Sequence, residues 1–275
     1  MSRQSHRPSP APDLWVCHLG VVGYRDGVAV QQRLRARRIA GALPDMLLLL
    51  EHPPVYTRGR RAGAEDLPFS EDFYRAKGIE VIDSDRGGKL TYHGPGQLVG
   101  YPIMALDDVG RYLRTMERAI VDALARWGLQ ARSRAADGID YTGVWVGDRK
   151  IASIGVHVSR GVATHGFAVN VENDLEPFSW VVACGLPDVR MTSLAAELQR
   201  PSARPDDHVA VAPAPGVRCV AKEIGYRFCL AHGRRQRLVT PARLGTATTQ
   251  TDSGAPTGAE PIKFRSRAPV EAALA

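Results

Sequence analysis

The stretch TGVWVGDRKIASIGVHVSRGVATHGFAVNVENDL, residues 142–175, decides the fold class. It holds three strand-like runs in succession, at 143–147, 151–158 and 162–171. The first two flank Gly147-Asp148, a dipeptide that favours a tight hairpin turn. Strands in a block, rather than strands alternating with helices, point away from a doubly wound parallel sheet. The expected fold class is α+β, with a mixed, largely antiparallel sheet and helices packed against it.

Working outward, Trp15–Val22, Asp45–Glu51, Ile79–Asp83 and Gln97–Met104 read as further strands. Arg25–Ile39 reads as a helix, and Ser70, followed by two acids and Phe73, reads as a helix cap. Val109, Tyr112, Leu113, Met116, Ile120, Leu124 and Trp127 fall at helical spacing, so 108–127 is the best-defined helix. Short helices are expected at 192–200 and 217–229. Residues 1–12 read as a disordered arm, 13–230 as one packed domain, and 231–275 as a disordered basic tail that packs little.

The chain has 275 residues, 44% hydrophobic and 24% charged. That is ordinary for a globular protein and excludes a mostly disordered, collagen-like or disulfide-dense chain. The longest aliphatic run, Met46–Leu50, is far short of the ~20 residues that cross a bilayer. The first dozen residues have no apolar core of a signal peptide. Cys17, Cys184, Cys219 and Cys229 match no zinc or redox spacing. The expectation is a cytoplasmic protein with free thiols and no membrane partner. The net charge is +7. On these boundaries nearly all of it falls in the two tails and the domain is close to neutral. With no helix-turn-helix, RNA-recognition motif or zinc finger, no nucleic-acid partner is expected.

Arg86-Gly87-Gly88-Lys89-Leu90-Thr91-Tyr92-His93-Gly94-Pro95-Gly96-Gln97 is the densest run of turn residues. Glycines alone would make it a plain loop, but His93 and Gln97 add donors beside an open backbone. It is neither a P-loop nor a dinucleotide fingerprint. Lys150 opens the second strand of the hairpin. Lysines in such places are usually solvated. Yet this chain has five lysines (Lys77, Lys89, Lys150, Lys222, Lys263) against thirty-one arginines. A retained lysine can mark a need for an amine that loses its proton, which arginine cannot do. Cys184 precedes Gly185 and Leu186-Pro187, as at a turn where a substrate could reach a thiol, whereas the other cysteines sit in apolar runs. His52, His93, His157 and His165 show no metal-ligand spacing, so no metal is expected.

Read together, these blocks resemble the lipoyl(octanoyl) transferase family. They are RGGKLTYHGPGQLVGYPI at 86–103, TGVWVGDRKIASIGVHV at 142–158, THGFAVNVENDL at 164–175 and ACGL at 183–186 followed by Thr192-Ser193-Leu194. A weaker block is LEHPPVYTRGR at 50–60. The resemblance covers the whole domain and neither tail. It departs at Ala183, where the family usually has Pro, and at Arg58, where a short apolar residue is usual. With Arg58, residues 57–61 look slightly like the arginine-glycine loop of biotin ligases.

The resemblance implies a catalytic core like that of biotin and lipoate protein ligases. It implies octanoyl transfer from octanoyl-acyl carrier protein to a lysine of lipoyl domains, in 2-oxo acid dehydrogenase complexes and the glycine cleavage H protein. Cys184 would be the nucleophile of a ping-pong reaction and Lys150 its partner, with no cofactor. Arg86, Gly87, Gly88, Lys89, Leu90, Thr91, Tyr92 and His93 would line the acyl channel with Ser153, Ile154, Gly155, Gly166, Phe167 and Ala168. His93 and His165 are candidates for orienting the carbonyl or relaying protons, and structural places beside turns suit them equally well. Gln97 and Asn170 would hold loops together by hydrogen bonds. The basic tails would steer the acidic carrier protein. A monomer is the simplest expected state. The competing readings are an ATP-dependent lipoate or biotin ligase, which leaves Cys184 unexplained, and an acyl-binding module with an inert thiol.

Overall fold

A computed structural model describes residues 11–186, 188–200 and 214–246. In chain order its strands are β1 (Asp13–Val21), β2 (Met46–Glu51), β3 (Val55–Arg58), β4 (Glu80–Asp83), β5 (Leu90–His93), β6 (Gln97–Ile103), β7 (Ala131–Ser133), β8 (Gly143–Val146), β9 (Arg149–Ser159), β10 (Val162–Asn170), β11 (Arg190–Met191) and β12 (Arg235–Leu238). The helices are α1 (Tyr24–Ile39), α2 (Glu71–Ala76), α3 (Val109–Leu124), α4 (Leu194–Leu198), α5 (Val217–Ala231) and α6 (Pro241–Leu244).

The main sheet runs β12-β1-β2-β6-β10-β9-β8-β7, with β11 beside β9. Its pairs from β2 to β7 are antiparallel, while β1 is parallel to both β2 and β12. The α+β class with a mixed, largely antiparallel sheet is therefore what the residues form. β2 shows why. Its run MLLLL carries no alternation because both faces are covered. Leu47 and Leu49 pack with Met116, Ile120, Ile224 and Phe228 of α3 and α5, and Met46, Leu48 and Leu50 pack with Val30 and Leu34 of α1. Helix α3 matches its sequence pattern closely. Asp108 accepts the Arg111 N–H at 2.9 Å to cap it. Tyr112, Met116, Ala119, Ile120, Ala123 and Leu124 form its buried face. No helix among the described residues is long and apolar enough to cross a membrane.

A second, three-stranded sheet runs β4-β3-β5. Its core is aromatic: Tyr56, Tyr74 and Tyr92 pack with Phe178, Val181 and Ala183. The Tyr56 hydroxyl donates to Pro177 O at 2.5 Å and the Tyr74 hydroxyl to Trp180 O at 3.0 Å. This small sheet thereby grips the segment 176–186.

The expected tail boundary at 231 is corrected by the structure. β12 pairs with β1, and Leu244 of α6 is buried with the α1 side of the core. The segment escaped notice because an edge strand reading Arg-Gln-Arg-Leu has no apolar alternation, and charged residues are what protect such edges. Arg235 and Arg237 donate to the Asp13 carboxylate at 2.7 and 3.4 Å. The charge assignment changes with it. Arg234, Arg235, Arg237 and Arg243 belong to the folded part. Residues 247–275 carry Lys263, Arg265 and Arg267 against Asp252, Glu260 and Glu271, and so are neutral. The arm at 1–10 and residues 247–275 lie outside the described residues.

Candidate functional site

A cleft opens between the small sheet with its glycine-rich approach and strands β9 and β10 of the main sheet. Lys150, Cys184, Arg86, Gly88, Lys89, Leu90, Thr91, His93, Ser153–Gly155, His165 and Gly166–Ala168 line it. Tyr24, Arg61, Tyr101, Ile139, Asp140 and Thr142 complete the wall. Of the residues expected there, Gly87 and Tyr92 do not line it. Tyr92 alternates to the other face of β5 and joins the aromatic core.

Lys150 is 1% exposed, on the long strand β9. Its place depends on a bulge. Val144 pairs with Ala152 but Trp145 pairs with Lys150, so β9 carries one extra residue there. An extra residue resets the alternation of side chains. Ile151 and Ala152 both enter the α3–α5 core, while Lys150 and Ser153 both face the cleft. The ammonium lies over the Trp145 ring at 5.3 Å. Its stem passes so close to Gly143 that a Cβ there would stand 2.9 Å from Lys150 Cε and 2.3 Å from Ala152 O.

Cys184 sits on a short 3-10 turn, Ala183–Gly185, with φ 58° and ψ 11°. That left-handed conformation costs a non-glycine residue on the order of 1 kcal/mol or more. The thiol is half-buried, with Sγ 3.7 Å from Ser153 Oγ. Val182 N–H donates to Asp66 O at 3.0 Å, which ties the turn to the small sheet's side of the molecule.

The glycine-rich segment is pinned to β9 by a Gly87 N–H bond to Val156 O at 2.9 Å. The approach is tight: a Cβ on Gly155 would lie 2.8 Å from Gly87 O. Arg58 points elsewhere and pairs with Asp83 at 2.7 Å. The Arg61–Asp140 ion pair, 2.8 Å, is partly exposed on the cleft wall.

The two histidines left open by the sequence are distinguished by their bonds. His93 donates from Nδ1 to Gln97 Oε1 at 2.7 Å, and Gln97 Nε2 donates to Asn170 Oδ1 at 2.9 Å. Asn170 Nδ2 then donates to Thr192 O at 2.9 Å, so this chain ties β5, β6 and β10 together. Burial, then His52, pushes the His93 imidazole well below its ordinary range. His165 Nε2 instead meets Asp85 Oδ1 at 2.6 Å, and its own backbone has φ 57°. That hydrogen bond holds the Asp85 carboxyl down at about 2. His52, a residue the sequence left unassigned, is pushed down to about 4 by burial and accepts from the Tyr101 hydroxyl at 2.7 Å. Tyr24, Tyr101, Asp85 and Asp140 were all missed, because isolated residues brought together by the fold leave no spacing signal, and Arg61 was noted only as part of the run at 57–61.

Comparison with known proteins identifies the family and the fold. The family model for the lipoyl protein ligase A/B catalytic domain matches residues 23–210. An octanoyltransferase of Solibacter usitatus is 44% identical over 214 residues, covering 76% of this chain and 87% of the relative. One of Rubrobacter xylanophilus is 49% identical over 185 residues, covering 66% and 82%. Among solved structures, a lipoate-protein ligase A bound with ATP aligns at TM-score 0.62 and 20% identity, covering 84% of this chain and 89% of that one. A putative lipoate protein ligase of T. acidophilum with bound lipoic acid aligns at TM-score 0.60 and 20% identity, with the same coverage. At that identity these structures speak for the fold alone.

Proposed function

This chain belongs to the family of the lipoyl protein ligase A/B catalytic domain, and we infer that its reaction runs through Cys184 and Lys150. The activity is octanoyl transfer. In this reading the donor is octanoyl-acyl carrier protein and the acceptor is a lysine of a lipoyl domain. The observation that supports it is the convergence of Cys184 and Lys150 on one cleft, from elements thirty-four residues apart.

The chemistry divides in two. The Cys184 thiolate adds to the thioester carbonyl. The carbon–sulfur bond to the carrier breaks, and the carrier's sulfur takes a proton from the Lys150 ammonium. The acceptor amine then adds to the Cys184 thioester, Lys150 takes the proton released from nitrogen, and the Cys184 thiolate leaves. A thioester is exchanged for an amide, so no ATP is consumed. Leu90, Ile154, Phe167 and Ala168 give the acyl chain apolar wall.

Incubation with octanoyl-acyl carrier protein should add one octanoyl mass to the protein, located on Cys184. Cys184→Ala should acquire no octanoyl group; the same mass change in that variant would remove Cys184 as nucleophile. Acceptor modification from free octanoate that appears only with ATP would favour the ligase reading instead.

A further inference from the structure

The cleft has an open end and a closed end. At the open end Ile139 is 65% exposed and the Arg61–Asp140 pair is half in water. At the closed end Tyr24, His93, Tyr101 and His165 are all buried. Their rings interlock. Tyr24 stacks on His93 with centroids 6.1 Å apart, and Tyr101 meets His165 edge-on at 6.1 Å. His52 joins the two pairs, 5.3 Å from Tyr24 and 5.7 Å from Tyr101. Each ring is also tied by a polar atom. The Tyr24 hydroxyl donates to Ser84 Oγ at 2.8 Å and the Tyr101 hydroxyl to His52 Nε2 at 2.7 Å, while Gln97 and Asp85 hold the two histidines. Such a ring cannot turn aside without leaving a buried polar atom unpaired, which is costly.

Strand register measures the distance to this closed end. Cys184 Sγ is 3.7 Å from Ser153 Oγ. Along the β9–β10 ladder Ser153 pairs with Ala168, Gly155 with Gly166, and Val156 with His165. His165 therefore stands three residues beyond the level of the thiol, about 10 Å of strand. The Arg86 stem lies over this stretch. A Cβ on Gly155 would stand 3.4 Å from Arg86 Cδ, while Nε and Nη2 are bonded to Thr57 Oγ1 of β3 at 3.2 and 2.8 Å. An extended eight-carbon acyl chain that starts at Cys184 is about as long as this slot.

We propose that Tyr24, backed by Tyr101 and His165, is the chain-length stop of the acyl channel: it meets the terminal methyl of an octanoyl group and turns longer chains away. This rests on the reading that places the acyl carbonyl beside Cys184. In an open apolar groove each added methylene strengthens binding. A closed end reverses that trend, because further methylenes have only bonded, immobile rings to displace. The stop is built by an element that carries neither Cys184 nor Lys150. Tyr24 opens α1, and Gln31 of the same helix accepts the His165 N–H at 2.6 Å. One helix thus fixes both Tyr24 and the left-handed backbone of His165. Chain length and acyl chemistry are set by separate parts of the fold.

The test is the ratio of kcat/KM for dodecanoyl and octanoyl transfer from acyl carrier protein to a lipoyl domain. The wild-type protein should favour octanoyl by about a hundredfold. Tyr24→Ala should raise the dodecanoyl-to-octanoyl ratio about tenfold. Tyr24→Phe keeps the ring and should keep the wild-type ratio, which separates a stop from a general loss of fold. Tyr24→Val serves as the second small variant if Tyr24→Ala does not fold. Ile139→Ala, at the open end, should leave the ratio in place. No preference in the wild type, a wild-type ratio in the small Tyr24 variants, or a larger shift in Ile139→Ala overturns the proposal. The ratio is read on the acceptor and needs no acyl-enzyme. A shifted ratio without acylated Cys184 would strike Cys184 and leave the stop, whereas acylated Cys184 with an unmoved ratio would strike the stop alone.

Discussion

Lys150 and Cys184 share a cleft, yet they are held by opposite means. Lys150 lies in an eleven-residue strand at the heart of the main sheet, fully buried, its position set by backbone register and a bulge. Cys184 lies in a three-residue turn with a strained backbone, held from outside by tyrosine hydroxyls and an aromatic core. One wall is positioned by the sheet's own hydrogen bonds and the other by side chains. In the proposed reaction the wall that exchanges protons is the rigid one, and the wall that bonds to and releases the acyl group is the one with strain to relieve.

Substitutions on each wall can break this contrast. The largest effect is expected at Gly143, where φ is 139° and a Cβ would strike Ala152 O. Gly143→Ala should cost on the order of 3 kcal/mol in a denaturant titration and should impair transfer through Lys150. Acid comes next. His52 falls from 6.5 to about 4 on folding, so the unfolded chain binds the proton first as pH drops. Stability held above pH 6.5 should therefore be lost between about 6.5 and 4, by roughly 3 kcal/mol for this group. His52→Gln should flatten that part of the stability profile. Tyr56→Phe leaves Pro177 O without its donor and should cost about 1.5 kcal/mol. It should slow acyl loading of Cys184 more than it changes the melting of the main sheet; an equal effect on both would erase the distinction between the walls. The smallest effect is at Ala183. Ala183→Pro should stabilise by about 0.5 kcal/mol if the turn already has a compatible backbone. A loss of acyl loading would show that Ala183 itself matters to this chain.

The sequence made the periodic parts legible. Helix α3, the Gly147-Asp148 hairpin and the Ser70 cap follow from residue spacing and turn chemistry, and the structure has them within a few residues. The cleft's glycine-rich wall was legible for the same reason. What stayed hidden is non-local. The bulge that turns Lys150 and Ser153 to one side is a property of pairing with β8, not of either residue. His93 and His165 look alike in sequence and part company only through Gln97 and Asp85. Arg86 is expected on the acyl channel from the resemblance, but that its hydrogen-bond partners are Thr57 and Gly87, all neutral, leaves no mark in the sequence.

The strand β12 has one more consequence, for synthesis. Residues 13–21, DLWVCHLGV, form β1, which is hydrogen-bonded on one side to β2 and on the other to residues 235–238. On a ribosome the first strand emerges more than two hundred residues before the last one that covers it. Until then β1 presents an open, mostly apolar edge, the kind that recruits strands from other chains. Truncation before Arg235 should make that interval permanent, and a shortened chain should aggregate during expression even with every cleft residue intact.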